Sequence, residues 1–317
     1  MSLKIVFVTG ARGFIGRHLA QWLSGQGFQV AGLGHGAWPT ASAAAGGVAH
    51  WLNGEVSASN LNTLRALAGT PDVVMHLAGG SSVGAAVMNP HEDFFRTVAP
   101  TIELLEWLRQ ESPQTSVVAV SSAAVYGAGH TGPIAEGSTQ NPYSPYGHHK
   151  LMMESLCRSY GATYGLRSTV ARLFSVYGTG LRKQLLWDIC SKLQAGQALV
   201  ELGGSGDELR DWTDVRDVVR ALAVLPELAN AQVPTFNLGS GVATPVRTVA
   251  AQVIAAWQSS IPRPELRFSG QSRAGDPFSL QADASRLASL GFKWQIPAEQ
   301  GLIDYVRWFQ AQAREQI

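Results

Sequence analysis

Tyr146 and Lys150 stand four residues apart in the stretch SPYGHHK (144–150), with His148 and His149 between them. On a helix that spacing puts the phenol and the ammonium on one face, one turn from each other. A phenol with a pKa of about 10 exchanges protons near neutrality only if its anion is stabilised. A lysine ammonium one turn away stabilises it by charge. The two side chains therefore suit acid–base work on a carbinol or ketone, the proton transfer that must accompany a hydride transfer. The histidines raise the alternative of a metal centre. No acidic or cysteine partner lies near them in sequence, so the expectation is one packed and one solvated histidine and no metal. A hydroxyl to hold the reacting oxygen is offered by SSAAVYG (121–127), where Ser121 or Ser122 would end a strand.

The other chemistry-bearing stretch is VTGARGFIG (8–16), which follows the apolar run LKIVFVT (3–9). Gly10, Gly13 and Gly16 are spaced three and three, against two and three in the general dinucleotide fingerprint. The physics is shared: glycines permit a tight turn and close backbone approach, and a helix amino terminus attracts a pyrophosphate. Sites for NAD usually place an acid after the second strand to bind the ribose 2′-hydroxyl. Here that strand runs VAGLGHG (30–36), and Gly34 or His35 takes the acid's place. No carboxylate would repel a 2′-phosphate, and Arg12 and His35 could meet one. The expectation is an NAD(P) site favouring NADP over NAD. Glu55, in NGEV (53–56), would accept a hydrogen bond from the adenine amino group.

These residues need elements to position them. FQVAGL (28–33), DVVMHLA (72–78), SVVAVSS (116–122) and RSTVARLF (167–174) read as further strands. Residues 14–25, 91–111 and 145–164 read as helices, the last with Pro145 in its first turn. Continuous apolar strands are buried on both faces. Their alternation with helices defines an α/β fold with a doubly wound parallel (Rossmann) sheet, whose ligands bind at the carboxyl ends of the strands. ASAAAGG (41–47) reads as a loop. After residue 175 the rhythm changes to short segments with helices near 182–195, 214–225, 246–257 and 301–314. This divides the chain into a dinucleotide-binding domain, 1–174, and a smaller C-terminal substrate-binding lobe, 175–317, with TFNLGS (235–240) returning to the sheet.

The chain has 317 residues, 45% hydrophobic and 15% charged, with a formal net charge of +1. That composition describes a globular protein and gives no reason to expect a nucleic-acid or membrane-surface partner. No apolar stretch is long enough to span a bilayer, and no leader segment is apparent. Cys157 and Cys190 lack metal-ligand spacing and read as reduced core thiols. A cytoplasmic location is expected.

Together the motifs resemble the extended short-chain dehydrogenase/reductases, in the NAD(P)-dependent nucleotide-sugar epimerase/dehydratase family. G-x-x-G-x-x-G at 10–16, HLAG at 76–79, SSAAVYG at 121–127 and Y-x-x-x-K at 146–150 occur in that family's order. The resemblance implies a catalytic set of Ser122, Tyr146 and Lys150. It places Phe14, Ile15, Leu77 and Ala78 beside the cofactor with the glycines, and has Lys150 also hold the nicotinamide ribose. It implies a nucleotide-diphosphate sugar as substrate, with Ser81, Ser122, Ser175, Arg210 and Arg273 around it. The two arginines would fork onto the diphosphate. The competing reading for Arg210 is a structural salt bridge to Asp211 or Asp214. The family also implies a homodimer built on the helices at 91–111 and 145–164.

Besides the missing acid after the second strand, the chain departs from the family pattern in three places. Dehydratases carry Thr-Asp-Glu where this chain has Ser122, Ala123 and Ala124. Alanines cannot protonate a leaving hydroxyl, so 4,6-dehydration and decarboxylation are excluded. R-x-F-N becomes Arg172-Leu173-Phe174-Ser175, and a helix asparagine becomes Thr97. Oxidoreduction at C4 of the sugar remains. The absent ribose acid favours an NADPH-dependent 4-keto-6-deoxyhexose reductase, and the alternative is an NAD-dependent 4-epimerase. A non-catalytic NAD(P)-sensing protein on the same fold is the reading from another class, opposed by the intact proton-transfer set.

Overall fold

The computed structural model describes residues 4–257, 263–271 and 277–314, with Ala313 and Arg314 described by their backbone alone. Two compact units form. The first comprises the described residues up to Gly127, with Ser138–Leu173 and Val219–Leu238. The second comprises Ala128–Gly137, Phe174–Val218 and the described residues from Gly239 onward.

The first unit is built on a seven-stranded parallel sheet. Its spatial order is Thr235–Leu238, Ser168–Leu173, Ser116–Ser122, Val73–His76, Ile5–Thr9, Gln29–Gly34 and His50–Asn53. The chain starts in the middle of the sheet, winds outward to His50–Asn53, then crosses back and builds the other half, as doubly wound folds do. The inner strands are buried along nearly their whole length, so successive residues pack on opposite faces of the sheet. Phe7, Leu33, Val74, Val117 and Val170 pack there with Leu61, Leu104, Trp107 and Met153 from three helices. Each such side chain adds about 1.5–3 kcal/mol of burial.

The two helices nearest the chemistry have well-marked ends. Pro90–Glu111 starts at Asn89, whose Oδ1 accepts from the Glu92 amide at 3.1 Å, with Glu92 and Asp93 in its first turn. Pro145–Tyr164 starts at Ser144, whose Oγ accepts from the Gly147 amide at 3.2 Å, and closes on Gly165 in the left-handed region (φ 73°). Several features differ from expectation: Ala58–Ala68 is a further helix, and contacts rather than a single cut near residue 174 divide the chain, assigning Val219–Leu238 to the first unit and Ala128–Gly137 to the second. Residues 41–47 are not a plain loop: Thr40–Ala45 is a short helix with Ala43 buried, because alanine is the strongest helix former. His50–Asn53 is an additional edge strand, too short and too polar to show as an apolar run.

In the second unit, Leu209–Asp214 pairs with Ser175–Tyr177, Ala243–Pro245 and Ser279–Ala282. The buried Asp211 ties this unit together, accepting from the Ser240 amide and hydroxyl (both 2.7 Å) and the Gly241 amide (2.8 Å).

Candidate active site

At the end of the first strand the backbone turns through Gly10 with φ +72°. A side chain there would be strained, and its Cβ would meet the Leu77 and Ala78 backbone at 3.0 Å. Gly16 is constrained differently: a Cβ would overlap the Gly10 carbonyl and the Ala11 backbone, so only glycine lets the helix start against the strand. That helix, Phe14–Gly25, has Gly13 at its cap position, no side-chain cap and no acid in its first turn. Its first amides therefore remain available to an anion. The Arg12 guanidinium packs against Gly36, and its buried Nε makes no hydrogen bond among the described residues. His35 and Glu55 are exposed just past the ends of the second and third strands, and Phe14 and Ile15 line the helix start. The glycine cradle, the uncapped helix and the orphaned guanidinium nitrogen all fit a dinucleotide, with its pyrophosphate over Gly10–Gly16.

Ser122 ends the fifth strand. The choice left open between two serines resolves by side: Ser121 is buried and donates to Glu154 Oε1 at 2.6 Å, whereas Ser122 hydrogen-bonds the Tyr146 hydroxyl. Lys150 lies one turn beyond Tyr146, its Nζ 5.9 Å from the phenol ring centre and donating to Val120 O at 2.9 Å. The same nitrogen lies against Gly79, where a Cβ would approach it to 3.0 Å. Ser122, Tyr146 and Lys150 are thus brought together, beside the Gly79–Gly80 turn that continues from Leu77 and Ala78. Ser81 follows that turn and is exposed.

The electrostatics correct one expectation. Lys150 was expected to pull Tyr146 towards ionisation, yet burial pushes the phenol above its usual pKa, and Asp93 adds to the rise against the hydrogen bond from Ser122. Burial also depresses Lys150, to about 8, with Asp93 and Glu154 opposing the fall. In the protein alone desolvation dominates at both groups, because each charged form gives up water that its neighbour at this separation does not replace.

Several polar groups support the site in roles the sequence did not assign them. His76 is buried between Thr9 Oγ1 (2.8 Å) and Thr101 Oγ1 (3.1 Å). Thr101 donates to Thr97 O at 2.7 Å, so it accepts from His76 Nε2–H, and Thr9 then donates to Nδ1. The ring is neutral: burial, and next the Lys150 charge, lower its pKa to about 3. Thr97, at the family's asparagine position, accepts from the Gly80 amide at 2.8 Å and fixes the turn beside Lys150. Glu154 forks onto Arg172, with Nε–Oε1 at 2.9 Å and Nη2–Oε2 at 2.7 Å. Arg172 also donates to the Tyr126 hydroxyl (2.9 Å), which donates to Asn237 Oδ1 (2.6 Å). The only signal for Glu154 was its place one turn past Lys150; His76, Thr97, Tyr126 and Arg172 stand in family motifs that gave them no such role, and nothing local marked Thr9 or Thr101.

One histidine is packed and one solvated, as expected: His148 is exposed, and His149 is buried with its Nδ1 2.6 Å from Asp93 Oδ2. Among the described residues no cluster of histidine, cysteine or acidic groups suits a metal ion. Cys157 and Cys190 are buried free thiols, both pushed by burial to about 12. Ser175 and Arg210 lie in the second unit on paired parallel strands, Ser175 opposite Trp212. Neither salt bridge considered for Arg210 forms. Asp211 serves Ser240 and Gly241, Asp214 binds Arg216 at 2.9 Å, and Arg210 Nη1 donates to Leu209 O at 2.8 Å. Arg273 lies outside the described residues.

A parallel sheet with a glycine-rich first turn, and a serine, tyrosine and lysine at its carboxyl edge, is the arrangement of the short-chain dehydrogenase/reductase class. Residues 6–239 match the NAD dependent epimerase/dehydratase family, and the chain belongs to it. UDP-glucuronate 4-epimerase 1 of Arabidopsis thaliana is 30% identical over 96% of this chain and 76% of its own length. The solved structure of MoeE5 in complex with UDP-glucose and NAD is 30% identical, covers 97% of this chain and 99% of that one, and superposes with a TM-score of 0.84. UDP-glucose 4-epimerase of Thermus thermophilus, in complex with NAD, is 26% identical over 96% and 99% of the two chains, with a TM-score of 0.84. These relatives correct two leanings of the sequence. They do not support a preference for NADP, and they weigh towards the 4-epimerase rather than the 4-keto-6-deoxyhexose reductase.

Proposed function

We propose that this chain is an NAD-dependent 4-epimerase of a UDP-linked hexose. The observation that carries the reading is the Ser122–Tyr146–Lys150 set followed by Ala123 and Ala124 in place of acids, in a chain whose relatives are named UDP-sugar 4-epimerases. When bound over Gly10–Gly16, NAD supplies the hydride acceptor and donor and brings a positive charge to the site. Tyr146 removes the proton of the C4 hydroxyl and later returns it. Ser122 holds the same oxygen through its hydroxyl. Lys150, fixed by Val120 O, keeps an ammonium at the ribose side of the phenol. Ala123 and Ala124 offer no proton to the sugar's other positions, so the chemistry stays at C4. Ser81, Ser175, Arg210 and Arg273 are proposed to bind the sugar and its diphosphate. The exposed apolar residues on Pro90–Glu111 and Pro145–Tyr164 are proposed to pair in a homodimer. A cytoplasmic location is proposed.

One observation favours the second reading, an NADPH-dependent reductase: no acid stands at Gly34 or His35, and Arg12 lies against Gly36 where a 2′-phosphate would sit. The test is to denature the purified protein, identify any released nucleotide by mass spectrometry, and follow UDP-glucose by NMR. Retained NAD with appearance of the C4 epimer is the expected result. An empty protein that consumes NADPH on a 4-keto sugar nucleotide would establish the reductase. Tyr146→Phe is expected to lower turnover by about 10³-fold while leaving NAD binding in place. Full activity in that variant would overturn the assignment.

A further inference from the structure

The helix between the two reacting side chains carries a histidine turned inward. His149 lies directly before Lys150, and its Nδ1 is 2.6 Å from Asp93 Oδ2. Both groups are almost wholly buried. A ring nitrogen this close to a carboxylate carries the proton, so His149 donates and Asp93 accepts. Phe94 packs edge-on against the imidazole, ring centres 5.5 Å apart. The other carboxylate oxygen presses against Gly80, where there is no room for a Cβ. Asp93 is therefore clamped between an imidazole and the turn whose neighbouring residue, Gly79, abuts Lys150 Nζ. The chemistry assigned above uses neither Asp93 nor His149.

The position of this carboxylate gives it opposite effects on its two neighbours. Its negative charge favours the Lys150 ammonium and opposes the Tyr146 phenolate. The other charged or titratable groups acting on Lys150 are Glu154 from its own helix, His76 from the Val73–His76 strand and Tyr146 itself. His76 is neutral and Glu154 is shared with Arg172, which leaves Asp93 as the anion not matched by a guanidinium.

We propose that Asp93 and His149 are a positioning pair that sets the pH range of the proton-transfer set, His149 anchoring the carboxylate and Asp93 favouring the Lys150 ammonium while setting the pH at which Tyr146 gives up its proton. The proposal deepens the epimerase reading and rests on it. Activity needs a Tyr146 that can lose its proton and a Lys150 that keeps one, so Asp93 shifts both limbs of the pH profile upward. Asp93→Asn keeps the shape and removes the charge. Both limbs should then fall, moving the optimum down by about one pH unit. Asp93→Glu, which retains the charge, should keep the optimum even if turnover drops. If Asp93→Asn does not fold, Asp93→Ser, which also removes the charge, tests the same shift in the same direction.

A second readout does not depend on turnover. Competitive labelling with acetic anhydride, read by peptide mass spectrometry, gives the pH midpoint of Lys150 reactivity, expected at about 8 in the unmodified protein and lower in Asp93→Asn. An active enzyme whose optimum and Lys150 midpoint both stay put in Asp93→Asn would overturn the proposal and leave the pair a packing feature. A protein that turns over no UDP-sugar, yet shows the Lys150 shift, would overturn the epimerase reading while upholding the charge coupling.

Discussion

Replacing Glu154 should unfasten the back of the active site. Its carboxylate is 0% exposed, and Arg172 opposite it is 1% exposed. Two forked hydrogen bonds join them, Ser121 adds a third to Glu154 at 2.6 Å, and Arg158 a fourth at 3.1 Å. Glu154→Gln preserves the volume but leaves the Arg172 guanidinium buried without its carboxylate, beside the Tyr126 hydroxyl and a ring centre 4.8 Å away. Stranding one partner of a buried ion pair costs about 3–5 kcal/mol. In a unit of this size that lowers the melting temperature by about 10 °C. Urea unfolding should show a lower midpoint at an unchanged slope. Removing both charges, in Glu154→Leu with Arg172→Met, should recover much of the loss, because the penalty belongs to the unpaired charge rather than to a missing attraction. The pH dependence follows the same sign. Glu154 is held below its usual pKa by Arg172, so its contribution is complete above about 4.5 and is lost as the pH falls through the lowered value. A single variant within about 1 kcal/mol of the parent, or a double variant worse than the single, would refute this account.

Two further outcomes are expected. His76 titrates at about 3 in the fold against 6.5 when exposed, so below pH 6.5 the unfolded chain binds a proton that the fold refuses. Stability should therefore drop by about 2 kcal/mol between pH 6.5 and 5, and His76→Asn should flatten that slope in urea titrations; equal slopes would sink the reasoning. Phe95 and Ile102, 56% and 42% exposed, lie seven residues apart on one stripe of Pro90–Glu111, with Met152 exposed on Pro145–Tyr164. If these helices pair two copies, Ile102→Glu should convert a dimer to a monomer in light scattering, and a parent protein already monomeric would exclude that face as the interface.

What the sequence revealed was local. The four-residue spacing of Tyr146 and Lys150 and the three-residue spacing of the glycines belong to single turns, and the structure keeps both. The valine-rich strands were legible because burial on both faces leaves no polar alternation to confuse them. His50–Asn53 was not, since an edge strand of four mixed residues carries no such run. Arg273 cannot be compared, lying outside the described residues. The ionisation of Tyr146 was misjudged because its causes are not local. Burial, the largest cause, comes from the whole fold, and the one charge that adds to it, Asp93, sits on a different helix. Spacing along one helix predicts which groups meet, but not which solvent they lose.

The paired serines show where that limit falls. Adjacent strand residues point to opposite faces, so Ser121 and Ser122 cannot serve the same partner. Each hydroxyl is equally suited to hold a sugar oxygen, and the sequence offers no way to tell which face receives it. The buried Glu154–Arg172 pair decides: it needs a donor on its side of the strand, takes Ser121 at 2.6 Å, and leaves Ser122 to Tyr146. A swap of demands follows. Ser121→Ala should cost stability by stripping a hydrogen bond from a buried carboxylate, whereas Ser122→Ala should leave stability nearly unchanged and lower turnover. The strand thus places a structural and a reacting hydroxyl side by side, and the ion pair behind it, rather than anything in the SSAAVYG stretch itself, assigns the two roles.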